Sequence, residues 1–339
     1  MTAQTPATAT AGQPSPAAGA AEPARTGPEL VLGTMTFGDT VDEATAGQML
    51  DAALAAGIVH IDTANAYVGG ATEEMLGRLL SGRRDAVFLA SKAGMPHADA
   101  GDQPLLSPAA LRRSVEASLR RLNTDRLDLF YLHQPDYKTP IEDTLGTVAE
   151  LAREGKILSL GVSNFAAWQI GDVRRAAEAA GAPAPVVAQQ LYNLVARRIE
   201  DEYLPFAAAH GIRTMVYNPL GGGLLTGRHS FGERPSEGRF GGSRLAEMYT
   251  QRYWDRQLFD AIEALSGVAK DAGIPLIELA LRWLAHRPGV DSLLLGGSRT
   301  PQLTSNIETI AAGPLPRDVV DACDAVGSDL RGPMPAYNR

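Results

Sequence analysis

Asp62 and Tyr67 lie five residues apart in IDTANAY, Lys92 ends the run AVFLASK, and His133 ends the apolar run LDLFYLH. A carboxylate, a phenol, an ammonium and an imidazole make a set that can move protons. A free tyrosine has a pKa of about 10, too high for ideal acid–base work near neutrality. A neighbouring ammonium favours the phenolate and lowers that value, while a carboxylate holds and charges the lysine. The imidazole can then orient or polarise a carbonyl and assist the transfer. Such a group donates a proton and needs an electron donor beside it. Taken singly, each residue has an ordinary explanation. Asp62 could cap a helix, Tyr67 could pack at a rim, Lys92 could stand in a loop, and His133 could be a satisfied core ring. Chemistry becomes the better reading only if one fold brings the four together.

From Leu30 onward, short apolar runs alternate with amphipathic helical stretches. The runs are LVLGTM, IVHID, AVFLASK, LDLFYLH, ILSLGVSN, VVAQQ, RTMVY and DSLLLGG. Between them lie patterns such as ALRRSVEASLRRL, where Leu111, Val115, Leu119 and Leu122 share one face. Ser107-Pro108 ahead of it reads as an N-cap followed by proline at the first helical position. This alternation predicts an α/β fold, a single (β/α)8 TIM barrel, rather than an open doubly wound sheet. No G-x-G-x-x-G follows the first run, as a doubly wound nucleotide fold would require. A barrel gathers the C-terminal ends of its strands around one mouth. At or just beyond those ends stand Asp62, Tyr67, Lys92, His133, Ser163-Asn164, Gln189, Tyr217 and the run Gly296-Gly297-Ser298-Arg299.

The bulk properties exclude several classes. A formal net charge of −8 argues against a nucleic-acid partner. The single cysteine, Cys323, excludes an intramolecular disulfide framework and a multi-cysteine zinc site. It fits a reducing cytoplasm, and the helical pattern DVVDACDAV makes it a small buried thiol. No run approaches the roughly 20 apolar residues of a membrane helix. Residues 1–28 are rich in Ala, Pro and Thr, lack the apolar core of a secretory signal, and read as a disordered tail. That leaves residues 29–339 as the barrel domain. A long βα loop from residue 218 to about 250 and a C-terminal tail from GPLPRDVV to PAYNR are expected over the C-terminal face.

From about residue 30 to residue 339 the chain resembles the aldo-keto reductases. The resemblance rests on GTMTFG, DTANAY, the lysine of ASKAG, YLHQPD, EGKILSLGVSN, the QxxYN of Gln189 to Asn193, YNPLGGGLLTG and GSRTPQLTSN, which occur in the family's order. It implies NADPH-dependent reduction of aldehydes or ketones to alcohols, without a metal. Tyr67 matches the general acid, Lys92 and Asp62 its tuning partners, and His133 the carbonyl-orienting group. Ser163, Asn164 and Gln189 match residues that hold the nicotinamide carboxamide, and Tyr217 the segment against which the ring lies. Met35 and Asp62 are also expected to border the cofactor. Asn218 to Arg228 match the loop over the pyrophosphate, with Pro219, Leu220, Gly222, Leu224 and Arg228 among its contacts. Gly296, Ser298, Arg299, Gln302 and Asn306 match the adenosine-phosphate end. Arg299 at a helix start suits a 2′-phosphate through its fork and the helix amides, which favours NADPH over NADH.

Within that family, TPIEDTL, SNFAAWQI, RFGGSRLAEMYTQRYW and PAYNR resemble the aflatoxin aldehyde and succinic semialdehyde reductases. This implies Arg239 on a cofactor phosphate, and Tyr249, Arg252 and the C-terminal Arg339 on a substrate carboxylate. Tyr67 and His133 would meet the carbonyl itself. Converging arginines suit an acid-bearing aldehyde, because bidentate pairing fixes its orientation. The stretch 229–242 is Gly-rich and departs from the subfamily's sequence. The expected partner is thus a small carbonyl substrate, a carboxylate-bearing aldehyde or a dicarbonyl, with no nucleic acid and no membrane. A homodimer is suggested by the resemblance alone. Two alternatives remain: a ketoreductase tailoring a natural product or sugar, and a nicotinamide-binding regulatory or channel-associated subunit.

Overall fold

The structure is a computed structural model that describes residues 27–332. The Ala/Pro/Thr-rich segment through residue 26, and Arg339, lie outside the described residues.

Each of the eight apolar runs contains one strand: β1 (Glu29–Gly33), β2 (His60–Asp62), β3 (Phe88–Ala93), β4 (Leu129–Leu132), β5 (Leu160–Ser163), β6 (Pro185–Leu191), β7 (Arg213–Tyr217) and β8 (Ser292–Leu295). They pair in chain order, all parallel, and β8 returns to β1 to close the barrel. The helices that cover it are α1 (Glu43–Ala55), α2 (Ala71–Leu79), α3 (Pro108–Arg121), α4 (Ile141–Arg153), α5 (Ala167–Ala180), α6 (Tyr203–His210), α7 (Ala246–Tyr253), α8 (Arg256–Asp271), α9 (Leu276–Ala285), α10 (Thr300–Ala311) and α11 (Arg317–Arg331). No helix among the described residues is long and apolar enough to cross a membrane.

Strand alternation divides the apolar residues into two bodies. One lies between barrel and helices and holds most of the core. The other fills the barrel itself: Val31, Ala90, Leu129, Tyr131, Val187 and Met215, with Leu294 against them. Tyr131 is the largest of these. In register it sits beside Lys92 on β3 and Gly161 on β5. A Cβ at Gly161 would stand 2.5 Å from Tyr131 Cε1. The missing side chain on β5 is what makes room for the ring.

Two local expectations needed refinement. α3 does begin after Ser107 with Pro108 in its first turn, but the Ser107 hydroxyl makes no cap bond and is buried without a partner among the described residues. The fixed backbone of the proline, rather than the hydroxyl, therefore defines the start. Asp62 caps no helix. The stretch expected as a C-terminal tail carries the helix that DVVDACDAV suggested: residues Arg317–Arg331 form α11, packed along α8. Val319, Val320, Cys323, Val326 and Leu330 recur at helical spacing and give α11 an apolar stripe. Cys323 is fully buried there, as expected.

α11 is also tied down by charge. The guanidinium carbons of Arg197 and Arg287 lie 4.8 and 4.7 Å from the Trp283 ring centroid. Both arginines pair with Asp324 of α11, and Arg331 pairs with Glu200. Arg197 and Glu200 follow the C-terminal end of β6, so α11 ends beside a segment that leaves the mouth.

The long loop after β7 behaves as a strap. It runs through turns at Gly221–Thr226 and Gly238–Phe240 into α7. Ser243 Oγ then donates to Asp39 Oδ2 at 2.8 Å, in the loop after β1. The strap therefore bridges the rim from β7 to β1.

Gly161→Ala should destabilise the barrel by about 1–3 kcal/mol, because the added methyl is driven into Tyr131 and Val187. Gly171→Ala in α5, where a Cβ meets nothing within 4 Å, should instead stabilise by up to about 1 kcal/mol through helix propensity. Denaturant unfolding of the two variants measures the contrast, and equal effects would remove the steric argument.

Candidate active site

Asp62 is the last residue of β2, and Lys92 lies two residues beyond its register partner Ala90 on β3. Both side chains are completely buried. A lone ammonium there would lose several kcal/mol of hydration. Lys92 escapes that by using all three of its N–H donors. It donates to Asp62 Oδ1, to the Thr63 carbonyl at 2.8 Å, and to the Tyr67 hydroxyl at 3.3 Å. The second carboxylate oxygen of Asp62 accepts from Gln189 Nε2 at 2.9 Å. Burial pulls the Lys92 pKa down, but Asp62 and Tyr67 outweigh it and the net direction is upward. The lysine stays charged.

Tyr67 is held by the loop that leaves β2. The Thr34 hydroxyl bonds the Asp62 carbonyl at 2.9 Å, and the Asn65 amide bonds the Lys92 carbonyl at 3.1 Å. Val68, at a φ of 50°, then turns the chain into α2. Half-buried, Tyr67 presents its ring to His133, with centroids 6.0 Å apart and planes at 76°. Here the expectation of a lowered phenol pKa fails in sign. Burial raises it more than Lys92 lowers it, and Asp62 opposes the lysine's field. Tyr67 is therefore neutral and carries its proton at physiological pH, the form a proton donor needs.

His133 follows the last residue of β4, and its backbone amide bonds the Ala93 carbonyl at 2.8 Å. Its ring is buried, and Nδ1 has no hydrogen-bond partner among the described residues. Burial, aided by the Lys92 charge, pushes its pKa well below the usual imidazole range. It is not the satisfied core ring that a lone histidine suggests. The fold thus brings Asp62, Tyr67, Lys92 and His133 to one point at the mouth.

Around that point the next strand ends bind one another. Asn164, at a φ of 62°, donates to the His133 carbonyl at 2.9 Å and to Ser163 Oγ at 3.1 Å. Its Oδ1 accepts from the Tyr217 hydroxyl at 2.6 Å. Burial raises the Tyr217 pKa, whereas Arg252 lowers it by charge and hydrogen bond, and the fields of Tyr249 and Tyr67 also reach it. Arg252 is thereby placed beside the mouth rather than on a remote surface.

The strap supplies the rest. Asn218 accepts from the Gly222 amide at 2.7 Å and donates to the Tyr253 hydroxyl at 2.8 Å. Gly222, at a φ of 71°, approaches Tyr249 so closely that a Cβ would lie 2.5 Å from its ring. The Arg239 guanidinium stands 5.3 Å over the Tyr249 ring, with Nη1 buried and without a hydrogen-bond partner among the described residues. Pro219 and Leu220 line the turn, whereas the Leu224 side chain is buried in the core, so only its backbone could face a ligand. Arg228 is exposed and donates to His229 Nε2 at 3.3 Å. On the far side, Arg299 is the exposed N-cap of α10, while the Ser298 amide and hydroxyl bond Gln302 Oε1 at 3.2 and 3.0 Å. Asn306 lies further along α10; Gly296 follows β8 and Met35 follows β1, whose loops are joined where Thr36 Oγ1 donates to the Gly297 carbonyl at 2.9 Å.

These residues fit a nicotinamide dinucleotide. Arg239 offers a buried donor that no atom of the described residues satisfies, and α10 offers N-terminal amides beside Arg299. The sequence reading missed Tyr131, Met215, Thr63 and the Asp39–Ser243 latch. Tyr131 alone carried a signal, since it shares the inward face of β4 with His133 two residues on.

A family model described as the aldo/keto reductase family matches residues 29–328. Aflatoxin B1 aldehyde reductase member 2 of Rattus norvegicus is 36% identical over 342 residues, spanning 96% of this chain and 91% of its own length. Aldo-keto reductase family 7 member A3 of Homo sapiens is 36% identical over 330 residues, spanning 93% and 98%. A probable voltage-gated potassium channel subunit beta of Arabidopsis thaliana is 31% identical over 290 residues, spanning 84% and 88%.

The depressed His133 pKa fixes a sign for stability. Below about pH 6.5 the unfolded chain binds a proton that folded His133 refuses, so stability is complete above that value and falls as pH drops. His133→Gln should flatten part of the decline between pH 7.5 and 5.5 in denaturant unfolding. A decline as steep as in the wild type would assign it to other groups.

Proposed function

The chain belongs to the aldo/keto reductase family, and we propose that it is an NADPH-dependent reductase of small aldehydes and ketones, with carboxylate-bearing aldehydes such as succinic semialdehyde, or dicarbonyls, as substrates. The observation that carries this reading is the hydrogen-bonded line Asp62–Lys92–Tyr67 ending beside neutral His133 at the barrel mouth.

When bound, the nicotinamide supplies the hydride that the carbonyl carbon receives. Tyr67 gives its phenolic proton to the carbonyl oxygen, completing the alcohol. The Lys92 N–H on the phenolic oxygen stabilises the phenolate as it forms, and Asp62 fixes that ammonium in place. His133, held neutral by burial, donates a ring N–H to the substrate oxygen and orients it. These groups meet the developing charge without reorganising.

Ser163, Asn164 and Gln189 would hold the carboxamide, with Gln189 sharing its amide between that group and Asp62. Tyr217 would back the ring, and the strap from Asn218 to Arg228, with Arg239, would cover the pyrophosphate. Arg299, Ser298, Gln302 and Asn306 would hold the adenosine end, with Arg299 on the 2′-phosphate. Arg252, Tyr249 and Arg339 would hold a substrate carboxylate. The relatives named as aldehyde reductases support an aldehyde substrate. The relative named as a channel subunit favours a second reading, a nicotinamide-binding regulatory protein.

NADPH oxidation across a carbonyl panel tests the reading. Tyr67→Phe should lower kcat by about 10²–10⁴-fold while cofactor binding persists. Full activity in that variant would sink the mechanism, and cofactor binding without turnover of any carbonyl would favour the regulatory reading. Arg299→Ala should weaken NADPH about 10- to 100-fold and leave NADH nearly unchanged. Arg252→Ala should raise KM for succinic semialdehyde about tenfold relative to an uncharged aldehyde of similar size. Equal losses with both aldehydes would discard the carboxylate contact.

A further inference from the structure

We propose that Tyr131, inside the barrel, is a positioning residue for the reaction: its ring face holds the Lys92 ammonium at the mouth. The proposal rests on the reductase reading for its catalytic meaning, but not for its geometry.

Leu129, Tyr131 and His133 alternate inward along and just beyond β4, so Tyr131 lies one inward position below the histidine. Its strand partner on β3 is Lys92, and Lys92 Nζ stands over the Tyr131 ring at 5.7 Å from the centroid. Both side chains are completely buried. The three N–H donors of Lys92 are all taken by Asp62, Thr63 and Tyr67. What the ammonium meets toward the barrel interior is therefore not a hydrogen-bond acceptor but the negative face of an aromatic ring.

The hydroxyl is buried among the residues that hold the carboxylate. Tyr131 Oη donates to Met215 Sδ at 3.6 Å, a weak acceptor, and also has a side-chain hydrogen bond with Gln189. An aliphatic side chain would fill the same space with no polar atom to bury. The same sulfur lies 3.2 Å from Gln189 Nε2, which also binds Asp62 at 2.9 Å. The hydroxyl thus pins the ring edge against the residues that hold the carboxylate, while the face supports the lysine. Gly161, the partner on β5, leaves the only side-chain gap in the row and lets the ring lie flat under Lys92.

Replacing the ring by an aliphatic chain leaves the ammonium equally buried but with less support for its charge. Lys92 then gives up its proton at lower pH, and a neutral amine no longer stabilises the Tyr67 phenolate. A filler that merely packs the barrel would not move this titration.

The test uses the full chain labelled with ¹⁵N-lysine. Lys138 and Lys270 are exposed and Lys156 is half-buried, so a slowly exchanging ammonium signal, absent from Lys92→Met, reports Lys92. In Tyr131→Leu that signal should vanish about one pH unit below the wild type. Tyr131→Met, unbranched and able to fill the space, should do the same and serves if the leucine variant fails to fold. Tyr131→Phe, which keeps the face, should restore most of the difference. The alkaline limb of kcat/KM should move down in parallel with the ammonium signal. A wild-type titration in both aliphatic variants would overturn the proposal, and so would a phenylalanine variant as shifted as they are. A wild-type protein that reduces no carbonyl would overturn the reductase reading instead, while the ammonium titration still decides the role of Tyr131.

Discussion

The ion pair between Lys92 and Asp62 is the constraint on which the rest of the mouth depends. Two full charges sit where water does not reach, and such a pair is tolerable only when its geometry is fixed and its remaining donors and acceptors are met. Lys92 meets this through the Thr63 carbonyl and the Tyr67 hydroxyl, and Asp62 through Gln189. Each partner comes from a different part of the barrel: the end of β2, the loop after it, β3 and β6. Closure of the sheet is therefore a condition of the chemistry. An open sheet would leave at least one side of the pair to solvent.

Burial then sets the protonation states in opposite directions around one charge. Tyr67 rises above its ordinary pKa and His133 falls below it, so both are neutral beside a lysine that stays charged. A neutral phenol is a donor and a neutral imidazole an orienting group, and neither competes for the role of the other. In the proposed reaction the lysine would matter to Tyr67 less as a force that lowers its resting pKa than as a charge beside the phenolate as it forms. That distinction depends on how much water the mouth excludes.

The strap and α11 are fastened separately from this centre. The strap is latched to the loop after β1 through Ser243 and Asp39, and α11 is fixed by arginines that flank Trp283. Neither touches the Asp62–Lys92 pair. A change in the strap or in α11 therefore need not disturb the Asp62–Lys92–Tyr67 line.

The sequence by itself determined the barrel, because eight apolar runs separated by amphipathic stretches allow little else and local alternation is written residue by residue. It also determined the identities at the strand ends, since the position of a residue at the end of an apolar run survives whatever the rest of the fold does. The sign of the Tyr67 shift, the silence of the Ser107 hydroxyl and the packing of α11 along α8 were decided only by the tertiary structure. So was the row Lys92, Tyr131, Gly161, whose members lie on three strands. Desolvation and cross-strand fit depend on what packs from a distance. Neither can be read from neighbours along the chain.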